Sequence, residues 1–335
     1  MSDTRPGLNP HRLVSLMRQS IERCNLQLQN AIVLTEAATG AYAVTPVLAA
    51  MSGAEKVFAL THSSRYGTVE QVKAETLQLA SIAGVSKSIE FITEKKQDIF
   101  AQADIITNSG HVRPINAQMI GWMKPTAVIG LMYEAWEFRL EDLDLAACRQ
   151  REIDVVGVNE RHPSVDVFSF LGIMAVKLLL DAGIAVYTSN ILLLCDNPFS
   201  DFIERGLVQA GATVETVNTL TAAPTDKTYD GILVALQPQA EPALSALDAA
   251  AIAKYWSGAL VAQYWGDIDR SAFLSHNIPL WPEVEPKPGH MGILPSAVGP
   301  EPIIRLQTGG LKAAEVIWRK SFQCNDPEMK FVQLL

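Results

Sequence analysis

At 335 residues the chain exceeds what one hydrophobic core usually fills, so two domains of roughly 150 to 170 residues each are expected. Hydrophobic residues at 48% against 19% charged exclude a disordered chain. A formal net charge of −9 disfavours a broad grip on phosphate backbones, so nucleic acid is not an expected partner.

Residues 1–12 contain no apolar core of the kind a secretory signal needs. The longest apolar stretch, Phe168 to Val186, is broken by Lys177 and Asp181 and reads as a buried helix rather than a membrane span. No membrane partner and a cytoplasmic location are the expectations. Cys24, Cys148, Cys195 and Cys324 form no C-x-x-C pair, so neither a zinc site nor a disulfide framework is indicated; reduced, mostly buried thiols are.

In chain order, Leu13, Leu16, Met17, Ile21 and Cys24 recur at helical spacing and predict an amphipathic helix over 9–30. Short β-branched runs follow at Ala31 to Leu34, Val57 to Leu60, Ile89 to Ile92, Asp104 to Thr107, Ala127 to Leu131 and Asp154 to Val158. Nearly continuous apolar runs are what parallel strands covered on both faces require. Helical segments separate them at Val44 to Met51, Val69 to Ala83, Asn116 to Met123 and Leu140 to Arg151. This alternation is the pattern of a doubly wound sheet.

A long helix from Val165 to Ala182 crosses into a second unit with strands at Ile191 to Leu194, Thr213 to Val217, Gly231 to Leu236 and Leu260 to Tyr264. Its helices are expected at Phe199 to Ala210, Ala243 to Trp256 and Arg270 to Ser275. The Pro-rich passage Pro279 to Pro302 excludes regular helix and central strand, and a last helix spans Gly309 to Ser321. The fold class is therefore α/β: two Rossmann-like, doubly wound parallel-sheet domains, 1–164 and 165–335, expected to face each other across a cleft.

Five of the predicted strands in the first half end on polar clusters: Thr35-Glu36, Thr61 to Arg65, Asn108 to His111, Tyr133-Glu134 and Asn159 to His162. In an open parallel sheet the carboxyl ends line one crevice, which places the site there. After the first strand, Glu36, Thr39 and Gly40 stand where a nucleotide phosphate binds in such folds, although G-x-G-x-x-G is reduced to Gly40 alone. After the second strand, His62, Ser63, Ser64 and Arg65 suit a 2′-phosphate through a guanidinium fork and two hydroxyls; as a solvated loop, the serines would cap the next helix.

His111 and Arg113 pair a group that titrates near neutrality with an anchor for a carboxylate, or else serve local turn chemistry around Gly110 and Pro114. Glu160 and Arg161 pair with each other or supply an acid/base group, and Asp166 is expected in the first turn of the crossover helix. The loop Glu283 to Gly292 offers His290 as a second catalytic candidate. The turn Cys195 to Phe199 occupies a dinucleotide-loop position without any glycine, so close approach of a pyrophosphate is disfavoured there.

The run Leu143 to Asn159, followed by Val165 to Leu180, resembles the end of the substrate domain and the crossover helix of D-2-hydroxyacid dehydrogenases. That resemblance implies a second Rossmann domain starting near Ile191, with His290 at the approximate position of the family's late histidine. A second resemblance covers residues 32 to 131, where the Thr39-Gly40 turn, Leu79 to Val85, Ile89 to Ile92 and Met123-Lys-Pro125 are similar in order to class I methyltransferases. It implies S-adenosylmethionine as the alternative cofactor.

The leading expectation is an NAD(P)-linked oxidoreductase for a small, polar, carboxylate-bearing substrate, working as a homodimer. His111 or His290 exchanges the proton, Arg113 or Arg161 holds the carboxylate, and Glu134 or Glu160 orients the histidine. A non-redox small-molecule-binding protein with a degraded dinucleotide site is the third reading.

Overall fold

The Asn9 side chain starts the first helix by accepting from the backbone N–H groups of His11 and Arg12, and Pro10 fits the position whose N–H needs no partner. This helix, α1 (Pro10–Cys24), ends where Asn25 turns left-handed, short of the predicted residue 30. The computed structural model describes residues 5–319 and 327–335, so Cys324 and the predicted helix end at Ser321 lie outside the described residues. Cys24, Cys148 and Cys195 are buried free thiols.

The strands and helices then alternate as β1 (Ile32–Glu36), α2 (Thr45–Met51), β2 (Lys56–Leu60), α3 (Val69–Ala83), β3 (Ile89–Ile92), α4 (Gln97–Phe100) and β4 (Ile105–Thr107). They continue through α5 (Ala117–Trp122), β5 (Val128–Gly130), α6 (Leu145–Gln150) and β6 (Asp154–Val158). Next come α7 (Leu171–Asp181), β7 (Asn190–Leu194), α8 (Ser200–Gln209), β8 (Thr213–Val217), β9 (Gly231–Ala235), α9 (Ala246–Tyr255) and β10 (Leu260–Trp265). The chain closes with α10 (Arg270–Ser275), β11 (Leu280–Trp281), α11 (Glu301–Trp318) and β12 (Val332–Leu334).

Two compact units result, Met1–Val167 with Gly299–Leu335, and Phe168–Val298. The boundary falls at Phe168 rather than 165, and Gly299–Leu335, expected in the second domain, packs with the first. Among the described residues, the first unit holds a sheet in the order β12-β6-β5-β4-β1-β2-β3, parallel except for β12, which the sequence pattern did not predict. Its parallel part has the dinucleotide-binding order 3-2-1-4-5-6. The second unit's sheet, β11-β10-β9-β7-β8, is all parallel and, counted from its own first strand, has the flavodoxin-type order 2-1-3-4-5.

Alternation along each strand fills both faces of the first sheet. Val33, Val57 and Ile105 pack into one core with Met17 and Leu311, while Leu34, Phe58 and Ile106 pack into the other with Phe100 and Ile120. In the second unit α7 and α8 cross at Gly172 and Gly206, where a Cβ on Gly172 would lie 2.7 Å from the Gly206 Cα. Only glycine permits that approach.

Two helix expectations are corrected. The crossover helix begins at Leu171, behind a 3-10 turn at Phe168–Phe170, and Asp166 lies outside it with φ of 51°, paired with Arg305 at 2.8 Å instead of capping the helix. The last helix starts at Glu301 inside the Pro-rich passage, because Pro302 falls in its first turn, where a missing N–H is harmless.

That helix carries Lys312, 0% exposed, whose Nζ donates to the Asn25 carbonyl at 2.9 Å and to Glu328 at 2.6 Å and lies 3.2 Å from Glu315. Glu315 in turn accepts from the Gln27 backbone and pairs with Arg319. Removing one partner of a buried ion pair strands the other charge. Lys312→Met is expected to destabilise the protein by about 3 to 5 kcal/mol in urea unfolding, and Gly206→Ala to lower the melting temperature by disturbing the second unit.

Candidate functional site

The topological switch of the first sheet lies between β1 and β4, the place where open α/β sheets bind ligands. Glu36, the last residue of β1, is buried, and its Oε2 accepts from the His111 backbone N–H at 3.1 Å. Gly110 lies so close to this carboxylate that any side chain there would collide with it. Burial pushes the Glu36 carboxyl up, against the opposing pull of the His111 N–H and the Arg113 charge.

The His111 ring meets the His62 ring edge to face, with centroids 5.3 Å apart, so the ends of β2 and β4 come together at this pair. Burial, and then the charges of His62 and Lys95, lower the His111 pKa below the ordinary histidine value. Behind the pair, Thr35 and Thr107 hydroxyls are 2.8 Å apart and Thr107 and Ser109 hydroxyls 2.7 Å apart. Thr61 Oγ1 and Asn108 Oδ1, at the ends of β2 and β4, are buried with no hydrogen-bond partner among the described residues.

Arg113 reaches Asp142, not an open site: its Nη1 donates to Asp142 Oδ2 at 3.1 Å, and Arg139 Nε donates to the same oxygen at 3.2 Å. Tyr133 OH also donates to Asp142, at 3.3 Å, and accepts from Asn108 Nδ2 at 2.8 Å. Burial and the Asp142 charge push the Tyr133 phenol up, so it stays protonated at neutral pH. Two guanidinium groups thus converge on one carboxylate oxygen.

Two side-chain contacts fix the turn after β1. Gly40, at φ of 62°, donates its N–H to Glu75 Oε2 at 2.8 Å, and Thr39 Oγ1 lies 3.5 Å from the Tyr66 carbonyl. Ser63 accepts from the Val69 N–H and Ser64 from the Tyr66 N–H, while Arg65 stacks over the Tyr66 ring. This is the loop and capping chemistry that the sequence left open beside a phosphate role. In the second unit, Asn197 Oδ1 accepts from the Phe199 N–H at 3.1 Å, and Asp196 Oδ1 accepts from Gln237 N at 2.8 Å. His290 is exposed, and its Nδ1 lies 3.0 Å from the carbonyl of Pro288.

Glu134, Glu160 and Arg161 form a separate group at the ends of β5 and β6. Glu134 is 0% exposed; its Oε1 accepts from Glu160 N at 3.0 Å and Arg161 Nε at 3.3 Å, and its Oε2 accepts from Trp136 Nε1 at 2.5 Å. Among the described residues, neither Glu134 nor Glu160 bonds to His111, so the expected orienting role is not seen. Glu75, Glu137, Arg139 and Asp142 went unmarked in the sequence. Arg139 and Asp142 follow the 3-10 turn Ala135–Glu137, where no strand period flags them, and Glu75 looks like any solvated helix carboxylate.

No family model matches the chain, and no curated protein does. Solved structures do. A dipicolinate synthase component from Bacillus subtilis superposes with a TM-score of 0.53 at 11% identity over 88% of this chain and 97% of that one. Its counterpart from Bacillus halodurans gives 0.51 at 11% over 88% and 98%. Pyruvate reductase of Chlamydomonas reinhardtii gives 0.51 at 12% over 87% and 98%. The likeness is one of fold. It agrees with the α/β fold and the two mostly parallel sheets seen here.

The lowered His111 value predicts an NMR titration midpoint below 6.5. In His62→Gln, which removes a neighbouring positive charge, that midpoint is expected to rise.

Proposed function

We propose that the protein is a nicotinamide-linked oxidoreductase for a small, polar, carboxylate-bearing substrate, with its proton chemistry at the carboxyl edge of the first sheet. The observation that carries the reading is the His111–His62 pair beside the buried Glu36 at the switch point. The shared fold supports it, since one of the similar structures is a reductase of a small carboxylate.

In this reading His111 works through its neutral imidazole, because its lowered pKa leaves it unprotonated at pH 7. It takes the proton of a substrate hydroxyl in the oxidative direction and returns it in the reductive one. Glu36 fixes the turn by holding the His111 backbone and does not bond to the ring. Arg113 exchanges Asp142 for the substrate carboxylate. His290 stays a second proton-exchange candidate.

A pyrophosphate needs free backbone N–H groups lined by glycine; in the two candidate turns Glu75 holds the Gly40 N–H and Asn197 holds the Phe199 N–H. A bound nicotinamide would supply the hydride acceptor or donor, and a dinucleotide entering either turn would displace these two contacts. Nicotinamide dependence is the finer part of the proposal, and binding decides it.

Thermal denaturation with NAD⁺, NADP⁺ or NADPH at about 100 times the dissociation constant is expected to show about 2.7 kcal/mol of added stability with one of them. No shift with any would remove the nicotinamide. His111→Gln is expected to lower kcat/KM by about 100-fold or more with the melting temperature unchanged, as for loss of a general base. Unchanged turnover would shift the chemistry to His290. A homodimer, also proposed, is checked by sedimentation.

A further inference from the structure

His162 closes the polar cluster at the end of β6 and takes no part in the proposed reaction. Its backbone is fixed: its N–H donates to the Asn159 carbonyl at 3.1 Å, and its carbonyl accepts from the Val165 and Asp166 N–H groups, each at 2.8 Å. The imidazole has two contacts of its own. Its Nδ1 accepts from the Ser164 backbone N–H at 3.1 Å, and its face stacks on the Phe331 ring, with centroids 3.8 Å apart and planes 30° from parallel. An Nδ1 that accepts carries no proton, so the ring is neutral and protonated on Nε2.

Phe331 is where the C-terminal segment meets the first sheet. It is buried in the same core as Val158, and the next residue, Val332, opens β12 opposite Val158. The Asn159 N–H donates to the Phe331 carbonyl at 2.9 Å, and the Asn159 side chain donates to the Lys330 carbonyl at 3.0 Å. These bonds and the ring stack hold the loop after β6 against the 3-10 turn Pro327–Phe331.

A proton on Nδ1 sets two N–H donors face to face, so a charged ring has to turn away from Ser164. With the backbone fixed, only side-chain rotation achieves this, and rotation takes the ring off the Phe331 face. A cation over an aromatic face is attractive, which opposes the effect. Lys312 already draws on that attraction, its Nζ lying 6.0 Å from the Phe331 ring, and the Lys330 charge repels an imidazolium. Burial, and then Lys330, lower the His162 pKa below the ordinary histidine value, the direction expected where the charged ring is the disfavoured one.

Other charged groups pack around this loop. Arg161 is bound to Glu134, and Asp166 to Arg305 of α11, a pair that Arg23 of α1 faces. Lys312 is bound to Glu315 and Glu328, and Glu328 also to Arg319. Burial pushes the Glu160 carboxyl well above the usual carboxylate range; the Cys24 thiol of α1, pushed up to about 11 by burial, donates to the Ser164 carbonyl.

We propose that His162 is a pH-sensitive latch: its protonation breaks the hydrogen bond from Ser164 and the stack on Phe331, and loosens the Pro327–Leu335 segment from the first sheet, uncovering the edge of β6. The sign follows from linkage: the folded chain binds this proton more weakly than the unfolded one. Stability from the latch is therefore full above 6.5 and is lost as pH falls through 6.5 and then through the lower folded value.

Hydrogen exchange of the Asn159 and Val332–Leu334 amides is measured relative to the Ile32–Glu36 amides in the same sample, so that the pH dependence of the chemical exchange step cancels. The ratio is expected to rise severalfold from about pH 8 to about pH 5, the span over which histidine changes charge. The rise should be absent in His162→Phe, which keeps a ring on Phe331, and in His162→Asn, whose side-chain oxygen replaces Nδ1; neither new side chain titrates. In the wild-type chain the Ser164 amide resonance should move with the same midpoint as the His162 ring. The two wild-type readouts need no variant to fold. A constant wild-type ratio, a Ser164 amide that ignores the His162 titration, or a rise that survives in either variant would each overturn the proposal.

Discussion

A parallel sheet covered by helices on both faces leaves its polar side chains one place to go, the edge where the strands end. Every strand of the first sheet except β12 runs the same way, so Glu36, Thr61, Asn108, Tyr133, Glu134 and Glu160 are delivered to that edge by topology alone. The apolar character of the strands and the polarity of their last residues are two aspects of one constraint. The candidate site follows from it.

What distinguishes this edge is how much of its charge is matched from within. Glu75 holds the Gly40 N–H, Glu36 holds the His111 N–H, and Asp142 gathers two arginines and a tyrosine. Among the described residues of this edge, the buried side-chain atoms left without a partner are the Asn108 carbonyl oxygen and the Thr61 hydroxyl. A buried polar atom without a partner is unfavourable, and a substrate or an ordered water is what would satisfy it.

The fold was legible because strand and helix periods are local. The apolar runs of β1 to β10 announced themselves, and the placing of their polar ends on one edge needed only the parallel arrangement. The exceptions have physical reasons. The start of α11 was hidden by prolines that a first helical turn tolerates, and β12 is too short to show a period. The sequence singles out His111, Glu36 and His62 at the ends of strands, whereas the contacts that bring them together are not legible in it. Nothing in the sequence tells that Glu134 serves Arg161 rather than a histidine, or that Arg113 turns to Asp142, because those partners are 27 and 29 residues apart and meet only through the sheet.

The antiparallel strand β12 lies along β6, pairing Val332 with Val158 and Leu334 with Val156. An uncovered β6 would present a row of unpaired backbone groups at the side of a hydrophobic sheet, a template on which a second chain could add a strand. β12 satisfies that row and moves the open edge of the sheet onto a strand of only three residues, Val332–Leu334, which offers a second chain far less to pair with than the five residues of β6 would.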